Sequence, residues 1–169
     1  MKTYIILIIV IICFSASSQA QDETSYDELL KKYYKGTVEI IKPNQLYNEM
    51  KNDSALIILD TREKNEYEVS HLENALFAGY DKFNFKKVKN LPKDSKIIVY
   101  CSIGARSENI GKKLKDTGFK NVYNLYGGLF QWKNLGYPVY DSEGAETDNV
   151  HVYSLEWGVW LKKGNKIYD

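Results

Sequence analysis

Cys101 stands at the end of the apolar run Ile97-Ile98-Val99-Tyr100 and is followed by Ser102-Ile103-Gly104-Ala105-Arg106-Ser107. The chemistry that such a stretch could carry is that of a sulfur nucleophile. A short, continuously apolar run reads as a strand covered on both faces, and parallel sheets place their ligand sites at the carboxyl ends of strands. The spacing predicts a helix from about Ser107 to Gly118, so the chain between strand and helix must curl. Its backbone N–H groups then turn inward, and Gly104 permits the backbone angles this needs. A cradle of amides above the positive end of a helix lowers a thiol pKa, and it would equally stabilise a persulfide anion. Backbone from Ser102 through Ile103 and Gly104 to Ala105 would wrap the sulfur. Arg106 offers a planar fork that suits an oxyanion such as sulfite or thiosulfate. The bland alternative is a buried, inert core thiol. The coincidence of strand end, glycine, arginine and helix start favours the nucleophile.

The elements that must position this loop alternate along the chain. Strands are expected at Val38–Ile41, Ala55–Leu59, Ala75–Ala78, Lys96–Tyr100 and Asn121–Leu125. Helices are expected from Pro43, which suits a first helical turn, around Tyr67 and Leu72, as a basic segment near Lys82–Lys89, at Ser107–Gly118 and at Gly128–Leu135. Alternation of this kind predicts an α/β fold with a mainly parallel sheet flanked by helices. Residues 141–148 are acidic and polar and read as a linker. Val150–Asp169 is a small aromatic tail, in which Trp157, Trp160 and Leu161 could pack on the domain or dock a protein partner.

The first twenty residues differ from the rest. Met1-Lys2-Thr3 is a basic lead, Tyr4–Phe14 is apolar, and Ser18-Gln19-Ala20 offers small residues before a cut. This is the pattern of a signal peptide cleaved after Ala20. The expectation is therefore an exported protein, periplasmic or secreted, with no stable membrane span after cleavage; a lipid-anchored form through Cys13 is the lesser alternative. Loss of Lys2 with that segment balances the 23 basic residues of the chain against its 22 acidic ones, which argues against nucleic acid as a partner. Of two cysteines, Cys101 alone would remain, without an internal disulfide partner. No cluster with metal-ligand spacing and no nucleotide phosphate loop occurs, so no metal or cofactor is expected.

Three stretches resemble the rhodanese family, across roughly Val38–Tyr140. The loop Cys101-Ser102-Ile103-Gly104-Ala105-Arg106-Ser107 is similar to the active loop of its single-domain members. Leu59-Asp60-Thr61-Arg62-Glu63-Lys64-Asn65-Glu66-Tyr67, with His71-Leu72 and Ala75, resembles the first signature. Gly127-Gly128, Trp132 and Gly136-Tyr137-Pro138-Val139 resemble the closing one. The resemblance implies a rhodanese-like three-layer fold around a central five-stranded sheet. Together with the patterns read above, it divides the chain into a signal peptide (1–20), a polar segment (21–36), a rhodanese-like domain (37–140) and a linker with aromatic tail (141–169). It also implies a sulfurtransferase: a thiosulfate-like donor leaves a sulfur on Cys101, and a thiol or cyanide removes it. Arg106 would bind the donor, while Ser102, Ile103, Gly104, Ala105 and Ser107 would line the site. Asp60, Arg62 and Glu66 match positions that mainly hold the fold together. Glu73-Asn74 replaces the usual Pro-Gly turn, and Ser102 stands where a basic residue often follows the cysteine.

Two other functions compete. A non-catalytic rhodanese-like module would bind a partner without using Cys101. A cysteine phosphatase or arsenate reductase would use the same residue pair, but its loop holds one more residue than the four between Cys101 and Arg106. His71, beside Leu72, reads as a hydrogen-bonded structural residue, and Lys82, Lys86, Lys87 and Lys89 as a solvated face.

Overall fold

The computed structural model describes residues 25–52 and 56–168. The segment expected to be a signal peptide (1–20) and the start of the strand expected at Ala55 lie outside the described residues. The chain divides into two compact units, Met1–Tyr33 and Tyr34–Asp169. In the first, residues 25–33 form a helix, α1.

The second unit contains a five-stranded sheet built from β1 (Glu39–Ile41), β2 (Ile57–Asp60), β3 (Leu76–Phe77), β4 (Lys96–Tyr100) and β5 (Asn121–Leu125). The strand order is β1-β5-β4-β2-β3, and every pair is parallel. Parallel strands need crossovers, and these bring α2 (Pro43–Asn52), α3 (Lys64–Val69) and α4 (Ala105–Asp116); α5 (Gly128–Asn134) follows β5. The α/β sheet flanked by helices is the architecture that the alternating pattern implies. β4 is central, between β2 and β5, and its four apolar residues are all buried. Side chains alternate across a strand. Ile97 and Val99 join Leu59, Val122, Ile110, Leu114 and Phe119 in one core. Ile98 and Tyr100 are buried on the opposite face.

A buried ion pair braces the neighbouring strand end. Arg62 Nε and Nη2 donate to the Asp60 carboxylate at 2.6–3.1 Å, and both side chains are fully buried. The Tyr100 hydroxyl accepts from Leu72 N–H at 3.1 Å. His71 stacks on Tyr67 with centroids 4.0 Å apart, and its main chain pairs with Tyr140. These contacts tie the first-signature residues Asp60, Arg62, Tyr67, His71 and Leu72 to one another, to Tyr100 at the end of β4 and to Tyr140.

Four elements differ from the sequence expectation. The helix expected around Tyr67 and Leu72 ends at Val69, because His71 leaves it to bridge with Tyr140. The basic segment at Lys82–Lys89 is only a 3-10 turn at Phe85–Lys87, because Phe83, Phe85 and Val88 pack into the core and the Asn84 side chain accepts from Lys86 N–H. Residues 141–148 are not a linker: β6 (Val139–Tyr140) pairs antiparallel with β7 (Glu146–Thr147). The turn between them is set by the Asp141 carboxylate, which accepts from Glu143 and Ala145 N–H. The aromatic tail has no continuous helix. It forms β8 (Asn149–His151), a single turn α6 (Leu155–Gly158) and β9 (Asn165–Ile167). Val150, Val152 and Leu161 are buried, and β8 lies against α3. The tail packs on the domain.

Candidate active site around Cys101

β4 delivers Cys101 to the carboxyl end of the central strand, and α4 begins at Ala105, two residues before the expected start. The loop between is therefore only Cys101–Gly104. Gly104 is the N-cap of α4 at φ 100°, in the left-handed region that glycine tolerates.

Each carbonyl of this loop is bonded from outside. Cys101 C=O accepts from Leu129 N–H at 2.8 Å, and Ser102 C=O from Phe130 N–H at 3.0 Å, both in the first turn of α5. Ile103 C=O accepts from the Tyr34 hydroxyl at 2.9 Å. Gly104 C=O accepts from Asn124 Nδ2 at 2.9 Å and from Glu108 N–H at 3.2 Å. None of these peptides is cis. In a trans peptide N–H points away from C=O, so carbonyls drawn outward turn amides inward. Gly104 N–H donates to Cys101 Sγ at 3.1 Å. The close approach of α5 requires Gly128, since a Cβ there would lie 2.3 Å from Cys101 O.

Arg106, expected to bind the donor, is already paired in the structure. Its guanidinium is not free on the rim. Nη1 and Nη2 donate to the two oxygens of Glu66 at 2.7 and 2.6 Å, and Nη2 also donates to Ser102 Oγ at 3.1 Å. The Ser102 hydroxyl donates to Glu66 in turn. The Glu66 side chain is 1% exposed and that of Arg106 is 23% exposed. Burial opposes ionisation of Glu66, but the hydrogen bonds and charge of Arg106, with Arg62 behind, outweigh it and hold the carboxyl below its usual value. Burial likewise opposes the Arg106 charge, and the Glu66 hydrogen bonds and the adjacent Cys101 thiol more than restore it.

Ser107 is also placed behind the loop: its hydroxyl donates to Asn124 Oδ1 at 2.7 Å. Ser107 thus orients the amide that holds Gly104 C=O. Ser102 and Ile103 are buried, and Ala105 is partly exposed. Cys101 itself is only 1% exposed. The Tyr153 ring, at a left-handed residue of the tail, stands 5.9 Å from the Arg106 guanidinium carbon. His151 Nδ1 accepts from Tyr153 N–H at 3.1 Å and sets that turn. Among the described residues, no three metal-ligating side chains gather.

Glu66, Asn124 and Tyr34 are the site residues that sequence reasoning did not assign. Glu66 was legible as part of the first signature and as the N3 residue of the capping box that starts α3. Its second contact, with the loop, crosses 40 positions. Nothing local marks Asn124 or Tyr34.

The architecture recurs in solved proteins. Protein BH2092 from Bacillus halodurans superposes with a TM-score of 0.57 at 26% identity, over 70% of this chain and 88% of that one. The polysulfide-sulfur transferase of Wolinella succinogenes shares the fold with a TM-score of 0.55 at 24% identity, over 76% of this chain and 90% of that one. A tRNA uridine(34) hydroxylase of Photorhabdus laumondii is 34% identical over 116 residues, which make up 61% of this chain. The chain spans about a third of that relative's length, 32%. The model of the rhodanese-like domain matches residues 42–135, from the end of β1 through α5 and including the whole Cys101 loop. With the parallel sheet and that loop in place, the chain belongs to the rhodanese-like domain family.

Proposed function

We propose that this protein is a sulfurtransferase in which Cys101 carries sulfur as a persulfide. The observation that carries the reading is the set of four consecutive loop carbonyls bonded outward, with Gly104 N–H on Sγ. Such a bowl of main-chain dipoles holds a negative sulfur, with the Arg106 charge close by. In the first half-reaction the Cys101 thiolate attacks the outer sulfur of thiosulfate. The S–S bond to the sulfonate breaks, sulfite leaves with the bonding pair, and Cys101 holds the persulfide anion. In the second, a thiolate or cyanide attacks the terminal sulfur. Cys101 leaves as thiolate, and the acceptor becomes a persulfide or thiocyanate. No external oxidant or reductant is needed.

The pairing of Arg106 with Glu66 leaves little net positive charge for an anionic donor, so the amides carry the anion. It also removes support from the phosphatase alternative, which needs a free guanidinium on a tetrahedral oxyanion. The likeness to a tRNA uridine(34) hydroxylase covers 32% of that longer protein. A chain of net charge +1 offers no cationic bias for a polyanion such as tRNA. The pattern of residues 1–20 supports export, for which an intact mass beginning at Gln21 is the check.

One observation favours the rival binding module, namely that Cys101 is 1% exposed. A single experiment separates the two. Intact-mass measurement after exposure to thiosulfate is expected to show one added sulfur, absent in Cys101→Ser and discharged by cyanide as thiocyanate. A folded wild type that never gains sulfur from thiosulfate or polysulfide would overturn the proposal and leave the binding module.

A further inference from the structure

The amide on the Cys101 sulfur belongs to a peptide unit whose far side is held by a residue upstream of the family match. Ile103 C=O and Gly104 N–H are two ends of one trans peptide and point in opposite directions. The N–H end donates to Cys101 Sγ at 3.1 Å. The C=O end accepts from the Tyr34 hydroxyl at 2.9 Å. The Tyr34 oxygen in turn accepts from Gly127 N–H at 2.8 Å. The links share one sense: Gly127 N–H to Tyr34 O–H, to Ile103 C=O, across the amide, and from Gly104 N–H to sulfur. Hydrogen bonds aligned in one sense polarise one another, and the positive end of this series meets the thiolate or persulfide.

We infer that Tyr34 is a positioning residue for the sulfur anion, its hydroxyl fixing and polarising the 103–104 peptide so that Gly104 N–H meets the charge on Cys101. The inference rests on the reading of Cys101 as sulfur carrier. Its support is geometric. A Cβ at Gly104 would lie 2.1 Å from Tyr34 Oη and 2.7 Å from Cζ, so the phenol occupies space that only glycine leaves. The segment that carries Tyr34 is anchored on the first turn of α4. Lys35 N–H and Thr37 N–H each donate to the buried Glu108 carboxylate at 2.8 Å, and the Thr37 hydroxyl does so at 3.1 Å. The Tyr126 ring meets that of Tyr34 edge-on at 5.9 Å. Burial holds the Tyr34 phenol well above its ordinary pKa, against the pull of Gly127 N–H. The hydroxyl therefore keeps the proton it donates across the range in which thiols ionise.

A mere structural peg would affect stability alone, and the test is chosen to tell the two apart. In the full chain, Tyr34→Phe keeps the ring and removes the hydroxyl. Thiolate absorbance followed against pH is expected to place the Cys101 midpoint about one pH unit higher than in wild type, the size of one net hydrogen bond. An unchanged thiol midpoint in a folded variant overturns the inference, whatever happens to the melting temperature. If the variant does not fold, wild-type nitrogen-15 spectra decide. The Gly104 and Gly127 amide protons are expected to move together with the thiol midpoint, and a Gly127 amide that stays still while Gly104 moves overturns the coupling. A wild type that titrates in this way but never accepts sulfur refutes the sulfurtransferase reading and not the role of Tyr34.

Discussion

Arg106→Ala separates a bracing role from donor binding, because the two readings place the loss in different measurements. The wild-type guanidinium makes hydrogen bonds of 2.6 and 2.7 Å to a carboxylate that is 1% exposed. Removing it strands a buried charge, a change that costs about 3–5 kcal/mol. Urea unfolding at neutral pH should show that loss as a lower midpoint with an unchanged slope. The pH dependence gives the sharper signature. In the wild type the Glu66 pKa is held down, so its pairing adds stability above the unfolded carboxyl pKa, and this is lost as pH falls through the lowered folded value. In the variant, burial acts on Glu66 with its main counterion gone, and the folded pKa moves above the unfolded one. A carboxyl raised in that way binds more protons in the folded state, so stability then rises as pH falls. The gap between wild type and variant should therefore shrink from pH 7 to pH 5, and adding Glu66→Gln to the variant should restore part of the loss. A cost below about 1 kcal/mol that is equal at both pH values, with only the KM for thiosulfate raised, would refute the reasoning and return Arg106 to the donor.

The remaining predictions concern the loop and its cover. Gly104→Ala forces a left-handed Cβ against the Tyr34 hydroxyl; a loss of about 1–3 kcal/mol in chemical unfolding, with sulfur loading abolished, is expected, and a neutral variant contradicts the close approach. Ending the chain at Asp148 removes the buried Val150, Val152 and Leu161, each worth about 1.5–3 kcal/mol; calorimetry should show a large fall in melting temperature, whereas an unchanged one would mean that the tail does not pack on the domain. Tyr153→Ala removes an exposed cation–π contact to Arg106 worth about 0.5–1 kcal/mol, so urea unfolding should show a loss no larger than that. A larger loss would show that the Tyr153 ring does more than rest against the guanidinium.

Much of this protein is local in origin and was legible residue by residue. The strand Lys96–Tyr100 follows from an apolar run of strand length, Asn121–Leu125 was read as a strand from its place in the alternation, and the α/β class follows from the alternation of strands with helical segments. Cys101 at a strand end, a glycine three positions on and a helix start beyond are enough to propose an anion-holding loop, because strand, turn and cap preferences act over a few residues. The tertiary structure decided which way each amide faces and who holds it. Leu129, Phe130, Tyr34 and Asn124 draw the loop carbonyls outward across 20 to 69 positions, and no local preference encodes a partner so distant. The same holds for charge. An arginine in a motif looks like a ligand for anions, and only the fold shows that Glu66 of α3 stands against it at hydrogen-bond distance. Spacing along the chain fixes what a residue can do; which neighbour packing brings within about 3 Å of it fixes what it does.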